Sequence, residues 1–158
     1  RTTCFDDPIM GSFMNGWIGL KIALASHGPI DLLTIMLGTN DCKALFGNSA
    51  RGILGGISGL LEITQNTELQ SRHGGFKTLL IAPPPIVITG CLSAAFYGAD
   101  RLSEKLGNLY SEIAAHRCVE FFDAGNYITT SPVDGVHFEE EAHKTLGTEL
   151  AKKITMIM

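Results

Sequence analysis

The stretch Ile30-Asp31-Leu32-Leu33-Thr34-Ile35-Met36-Leu37 is apolar from Leu32 onward except at Thr34. It has no polar alternation, so it reads as a strand covered on both faces inside a helix-flanked parallel sheet. Lys77-Thr78-Leu79-Leu80-Ile81-Ala82 is a second buried strand, ended by three prolines that cannot donate to a ladder. Val119-Glu120-Phe121-Phe122-Asp123-Ala124 is a third. Outside these strands the apolar positions switch to a helical period. Met10, Phe13, Met14, Trp17, Leu20 and Leu24 predict a helix entered at Asp7-Pro8, or one that begins after the interruption at Asn15-Gly16.

Ile53, Leu54, Ile57, Leu60, Leu61 and Ile63 predict a second helix within 48–69, followed by a loop over 71–76. Its glycines, Gly52, Gly55, Gly56 and Gly59, lower helix propensity and imply close packing against the sheet. They match neither the phosphate-loop nor the dinucleotide pattern. The segment 86–99 is apolar without a period and reads as a loop at a strand's carboxyl end, suited either to wall a substrate pocket or to pack as an ordinary loop. Asp100 is the expected cap of a helix carrying Leu102, Leu106, Leu109, Ile113 and Ala114 on one stripe. Glu139-Glu140-Glu141 opens the last helix and Lys152-Lys153 stands near its end, as the helix dipole favours. The order β-α-β-α-β-α implies a parallel sheet with right-handed crossovers.

Composition narrows the function classes. In 158 residues, 45 % are hydrophobic and 18 % charged, which suits one globular domain with a sizeable core. A net charge of −4 with no basic run argues against nucleic acid or an anionic membrane as the partner. No apolar run is long enough to span a membrane. Cys4, Cys42, Cys91 and Cys118 are scattered without metal-ligand spacing, so no metal or other cofactor is expected, and reduced thiols fit a cytoplasmic setting. His27, His73, His116 and His143 lie outside any motif.

Two stretches carry candidate chemistry. Gly38-Thr39-Asn40-Asp41 follows the first strand, where Gly38 permits a turn that a side chain would obstruct. Ligands of open parallel sheets bind at the strands' carboxyl ends, and there the amide of Asn40 can donate to a negative oxygen. The second is Asp134-Gly135-Val136-His137, between the third strand and the last helix. A carboxylate three residues before an imidazole, across a glycine turn, can hold Nδ1–H and leave Nε2 as a base. Each stretch alone also fits a helix start or a capped turn. Their conjunction, in the order this architecture brings to one rim, points to hydrolysis.

With these residues the chain resembles the SGNH (GDSL-type) hydrolase family, in particular its bacterial arylesterase branch, which includes acyltransferases and perhydrolases. Gly38-Thr39-Asn40-Asp41 is similar to that family's G-x-N-D block and Asp134-Gly-Val-His137 to its D-x-x-H block. Leu80-Ile-Ala-Pro-Pro-Pro85 and Phe121-Phe-Asp-Ala-Gly125 resemble its next strand ends. The resemblance implies a flavodoxin-like three-layer α/β/α sandwich with Asn40 as oxyanion donor supported by Gly38, His137 as general base and Asp134 as its orienter. It also implies small-molecule ester substrates and a homo-oligomer.

The family's nucleophilic block, Gly-Asp-Ser, occurs nowhere in the sequence. Of the block after it only a tail, Arg1-Thr2-Thr3, is matched. Absence of the first two strands accounts for both, so residues 1–158 are expected to be the carboxyl-terminal portion of a single domain. The first strand read here would then be an uncovered sheet edge. None of the serines, Ser131 included, lies on a strand-to-helix elbow, and Cys42 reads as a small buried hydrophobe. The alternatives are a binding protein of this fold that lost its nucleophile, and a carbohydrate esterase or lysophospholipase-like hydrolase.

Overall fold

The structure, a computed structural model, describes residues 1–47 and 49–158. Asn48, the first residue of the range read as the second helix, lies outside the described residues. Chain order is α1 (Gly16–Ser26), β1 (Leu32–Ile35), α2 (Ala50–Thr64), α3 (Thr67–His73), β2 (Lys77–Ala82), α4 (Ala99–Ser103), α5 (Leu106–His116), β3 (Glu120–Asp123) and α6 (Glu140–Ile157). The strands form a parallel sheet in the order β1-β2-β3, with Ile35 beside Leu80 and Leu80 beside Phe121.

The alternation of β2 divides the interior into two cores. Leu80 and Ala82 join buried side chains of α1, α2 and α5, whereas Leu79 and Ile81 join Phe122, Leu146 and Ile157 on the face that α6 covers. The result is helix, sheet, helix in three layers. Ile53, Ile57, Leu60 and Leu61 bury one face of α2 completely. At about 1.5–3 kcal/mol each, these side chains outweigh the roughly 1 kcal/mol that a helix glycine costs.

Several boundaries differ from the sequence expectation. Asp7 starts no helix; its carboxylate accepts from the N–H groups of Ile9 and Met10 in a turn, and a short 3-10 turn follows at Ser12–Met14. The helix begins after Asn15, whose side chain accepts from Trp17 N at 3.0 Å. The second predicted helix is two, because Asn66 caps α3 by accepting from the N–H groups of Glu68 and Leu69. Residues 71–73, expected in a loop, belong to α3. The helix expected from Asp100 is likewise broken into α4 and α5, and Gly98 with φ 78° precedes it, so Asp100 is inside the first turn rather than at the cap.

Gly56 and Gly59 of α2 do admit close packing, though not against the sheet, whereas Gly55 meets nothing within 4 Å. A Cβ on Gly59 would lie 2.3 Å from the Trp17 ring, and one on Gly56 1.9 Å from the Thr3 hydroxyl. β1 is covered less than a central strand: Leu32 and Leu33 are half-buried and Thr34 is exposed. Its outer edge has no strand partner among the described residues. A groove of about 250 Å³ runs along it, lined by Gly16, Leu20, Leu33, Leu37 and Leu60 among others. Among the described residues, no helix is long and apolar enough to cross a membrane.

Candidate active site

At the end of β1 the backbone turns at Gly38, whose φ of 124° is a conformation that side chains rarely tolerate. A Cβ there would lie 2.3 Å from the Tyr110 hydroxyl. That hydroxyl, fully buried on α5, donates to the carbonyl of Leu37 at 2.8 Å. The strand end is therefore pinned from below. A 3-10 turn at Asn40–Cys42 follows, leaving Asn40 half-buried and Asp41 and Cys42 buried.

Asn40 Nδ2 donates to the carbonyl of Arg1 at 3.3 Å. Next to it, the Asp41 carboxylate accepts from the Thr3 N–H at 2.9 Å to each oxygen and from the Thr3 hydroxyl. Burial pushes the Asp41 carboxyl above the usual range, while the Thr3 donors oppose that rise. Burial also pushes the Cys42 thiol up to about 12, and its Sγ lies 3.4 Å from the carbonyl of Gly38. A thiol held that way is no nucleophile near neutral pH.

Asp134 and His137 are brought together. One Asp134 oxygen accepts from His137 Nδ1 at 2.6 Å, and the other accepts from Val136 N at 2.9 Å and His137 N at 3.0 Å. These donors, the imidazole first, hold the Asp134 carboxyl down at about 2. The His137 side chain remains 73 % exposed. With Nδ1–H engaged, Nε2 is the nitrogen that keeps a free lone pair.

The turn carrying this pair is braced on both sides. Ser131 N donates to the carbonyl of His137 at 2.7 Å, and Gly135 N to that of Ser131 at 2.8 Å. The Ser131 hydroxyl is committed to the Glu139 carboxylate. The 86–99 segment packs against the same turn: Val87 N donates to the carbonyl of Gly135 at 3.0 Å, and a Cβ on Gly135 would lie 1.7 Å from the carbonyl of Val87. Further along, Ala95 accepts from Ala44 N at 2.8 Å, beside the Asn40 turn. This segment thus joins the Asp134–His137 turn to the backbone just after the Asn40–Cys42 turn, and each of those turns follows the carboxyl end of a strand. A separate cavity of about 490 Å³, lined by Gln70, Lys77, Thr78 and Glu120 among others, opens at the strands' opposite ends.

Among the described residues, no group of three or more His, Cys, Asp or Glu is placed to hold a metal ion.

The family described as GDSL-like Lipase/Acylhydrolase matches residues 24–150. Among solved structures, the chain is similar to Est24, a carbohydrate acetylesterase from Sinorhizobium meliloti, at 36 % identity and a TM-score of 0.91. It is also similar to the aryl esterase of M. smegmatis, at 36 % identity and a TM-score of 0.92. In both cases the match covers 100 % of this chain and 75 % of the other. A comparison with curated proteins found no significant match.

Proposed function

The chain belongs to the GDSL-like lipase/acylhydrolase family, and from that premise we propose that it carries the oxyanion donor and the base-orienter pair of a serine esterase for small acyl esters. The observation that carries this reading is the Asp134–His137 hydrogen bond of 2.6 Å, made by an imidazole whose side chain is 73 % exposed. A carboxylate acceptor on Nδ1 fixes the tautomer in which Nε2 is basic.

In this mechanism His137 Nε2 takes the proton of a serine hydroxyl as its oxygen attacks the ester carbonyl carbon. The carbonyl π electrons move to oxygen, and the Asn40 amide donates to the oxyanion so formed. Collapse expels the alcohol, which takes the proton from His137. The acyl-enzyme then passes to water or to another nucleophile by the same two steps reversed.

The attacking serine is assigned to no residue of this chain. Ser131 is buried on Glu139, and Ser103 is buried with its hydroxyl spent on Ile86 N and the carbonyl of Asp100. We assign the nucleophile to a segment outside these 158 residues that runs beside the unpaired edge of β1. Apolar side chains along the groove there support an added strand, since soluble proteins seldom leave such an edge bare. Likeness to both an aryl esterase and a carbohydrate acetylesterase supports short acyl groups carried on either kind of alcohol.

The test is hydrolysis of p-nitrophenyl acetate and of acetylated sugars by two proteins, the 158-residue chain and the product of its complete reading frame. The second is expected to turn over and to lose activity in His137→Ala, while the first is inactive. Robust turnover by the 158-residue chain overturns the external serine, and full activity of His137→Ala overturns the base.

A further inference from the structure

An oxyanion donor is useful only if the right end of its amide faces the reaction. The two ends of an asparagine side chain are alike in size and opposite in polarity, so an unconstrained amide presents its carbonyl as readily as its NH₂. Asn40 Nδ2 donates to the carbonyl of Arg1 at 3.3 Å, which only the NH₂ end can do, and this leaves its second hydrogen for an oxyanion.

Arg1 is exposed, its guanidinium donates to the carbonyl of Phe13, and the residues after it anchor its backbone. Thr2 N donates to the carbonyl of Met14 at 3.0 Å. Thr3 is fully buried, and its N–H and hydroxyl both go to the Asp41 carboxylate. Asp41 directly follows Asn40 in the chain and is itself only 1 % exposed. A buried carboxylate is costly to keep unless its donors are in place, and Thr3 supplies two of them, its N–H and its hydroxyl. Gly56 leaves room for that residue, since a Cβ there would lie 1.9 Å from the Thr3 hydroxyl.

We propose that Asp41 and Thr3 form a clamp that sets the orientation of the Asn40 amide: they are positioning residues, acting through the Arg1 carbonyl. The clamp deepens the proposed function and rests on Asn40 being the oxyanion donor. Loss of the Thr3 hydroxyl loosens residues 1–3, lets the amide turn over, and lowers the fraction of molecules that present N–H to the carbonyl.

The test uses the product of the complete reading frame with Thr3→Val, Thr3→Ser and Asp41→Asn. Thr3→Val is expected to lower kcat for p-nitrophenyl acetate about tenfold, a part of what loss of a whole oxyanion donor costs, with KM unchanged. Thr3→Ser restores it. The Asn40 side-chain ¹⁵N amide signal, assigned by its loss in Asn40→Ala, shifts toward the position of a free amide in Thr3→Val and Asp41→Asn and stays in place in Thr3→Ser. An unmoved Asn40 signal in a folded Thr3→Val protein, with kcat within twofold of the parent, overturns the clamp. If Asp41→Asn does not fold, the Thr3 pair alone decides. Parental activity in Asn40→Ala removes the oxyanion assignment instead, and the amide signal still reads whether the clamp exists.

Discussion

The Asp134 carboxylate owes its low pKa of about 2 to three donors, of which the His137 imidazole is the first. An NMR titration should find its midpoint there and find it higher in His137→Ala, because the two backbone N–H donors remain but the ring does not. The sign for stability follows. A carboxyl lowered by folding stabilises the fold above its ordinary pKa of about 3.9, and that contribution is lost as pH falls through about 2. The equilibrium unfolding free energy should therefore decline over that acid window, more in the parent than in Asp134→Asn; equal slopes contradict the geometry. Cys42 is a second residue whose placement can be tested directly. Buried and raised to about 12, it should resist a thiol reagent in the native protein, while the exposed Cys91 and Cys118 react at once. Labelling of Cys42 as fast as those two would contradict its placement. The Gly38 turn and the Asp134–His137 contact were legible in the sequence as short motifs. Tyr110 was not, because its hydrogen bond to Leu37 joins residues 73 apart and no local pattern announces it.

The helices show where periodicity stops being informative. The apolar stripe runs on from α2 toward Leu69 and from α4 into α5, so the breaks are invisible to it. Asn66 ends one helix by capping the next, a local signal that the longer apolar period masked. Replacing Asn66 by alanine should cost about 1 kcal/mol in chemical denaturation, and no change would mean that tertiary packing alone fixes the start of α3. The glycines of α2 separate by what stands opposite them. Gly56→Ala forces a methyl into the Thr3 side chain and should destabilise by about 1–3 kcal/mol. Gly55 meets nothing within 4 Å, and alanine there should stabilise by up to about 1 kcal/mol. The same sign for both substitutions would contradict this assignment of close packing.

Across the whole molecule, the three strand positions and the parallel order were readable because buried apolar runs leave few alternatives. The contacts that assemble the rim were not. The 86–99 segment lacks a period, and only the fold reveals that it joins the Asp134–His137 turn to the turn after Asn40 through Val87 and Ala95. β1 reads in sequence as a strand covered on both faces that, without the family's first two strands, becomes a sheet edge, and it stands at an edge of the sheet among the described residues.

The most direct measurement is kcat for p-nitrophenyl acetate in the complete-reading-frame protein carrying Asn40→Ala. A fall of roughly 10²–10³, as removal of one oxyanion donor produces, is the predicted result. A rate equal to the parent's would show that the amide after β1 plays no part in stabilising the reacting carbonyl.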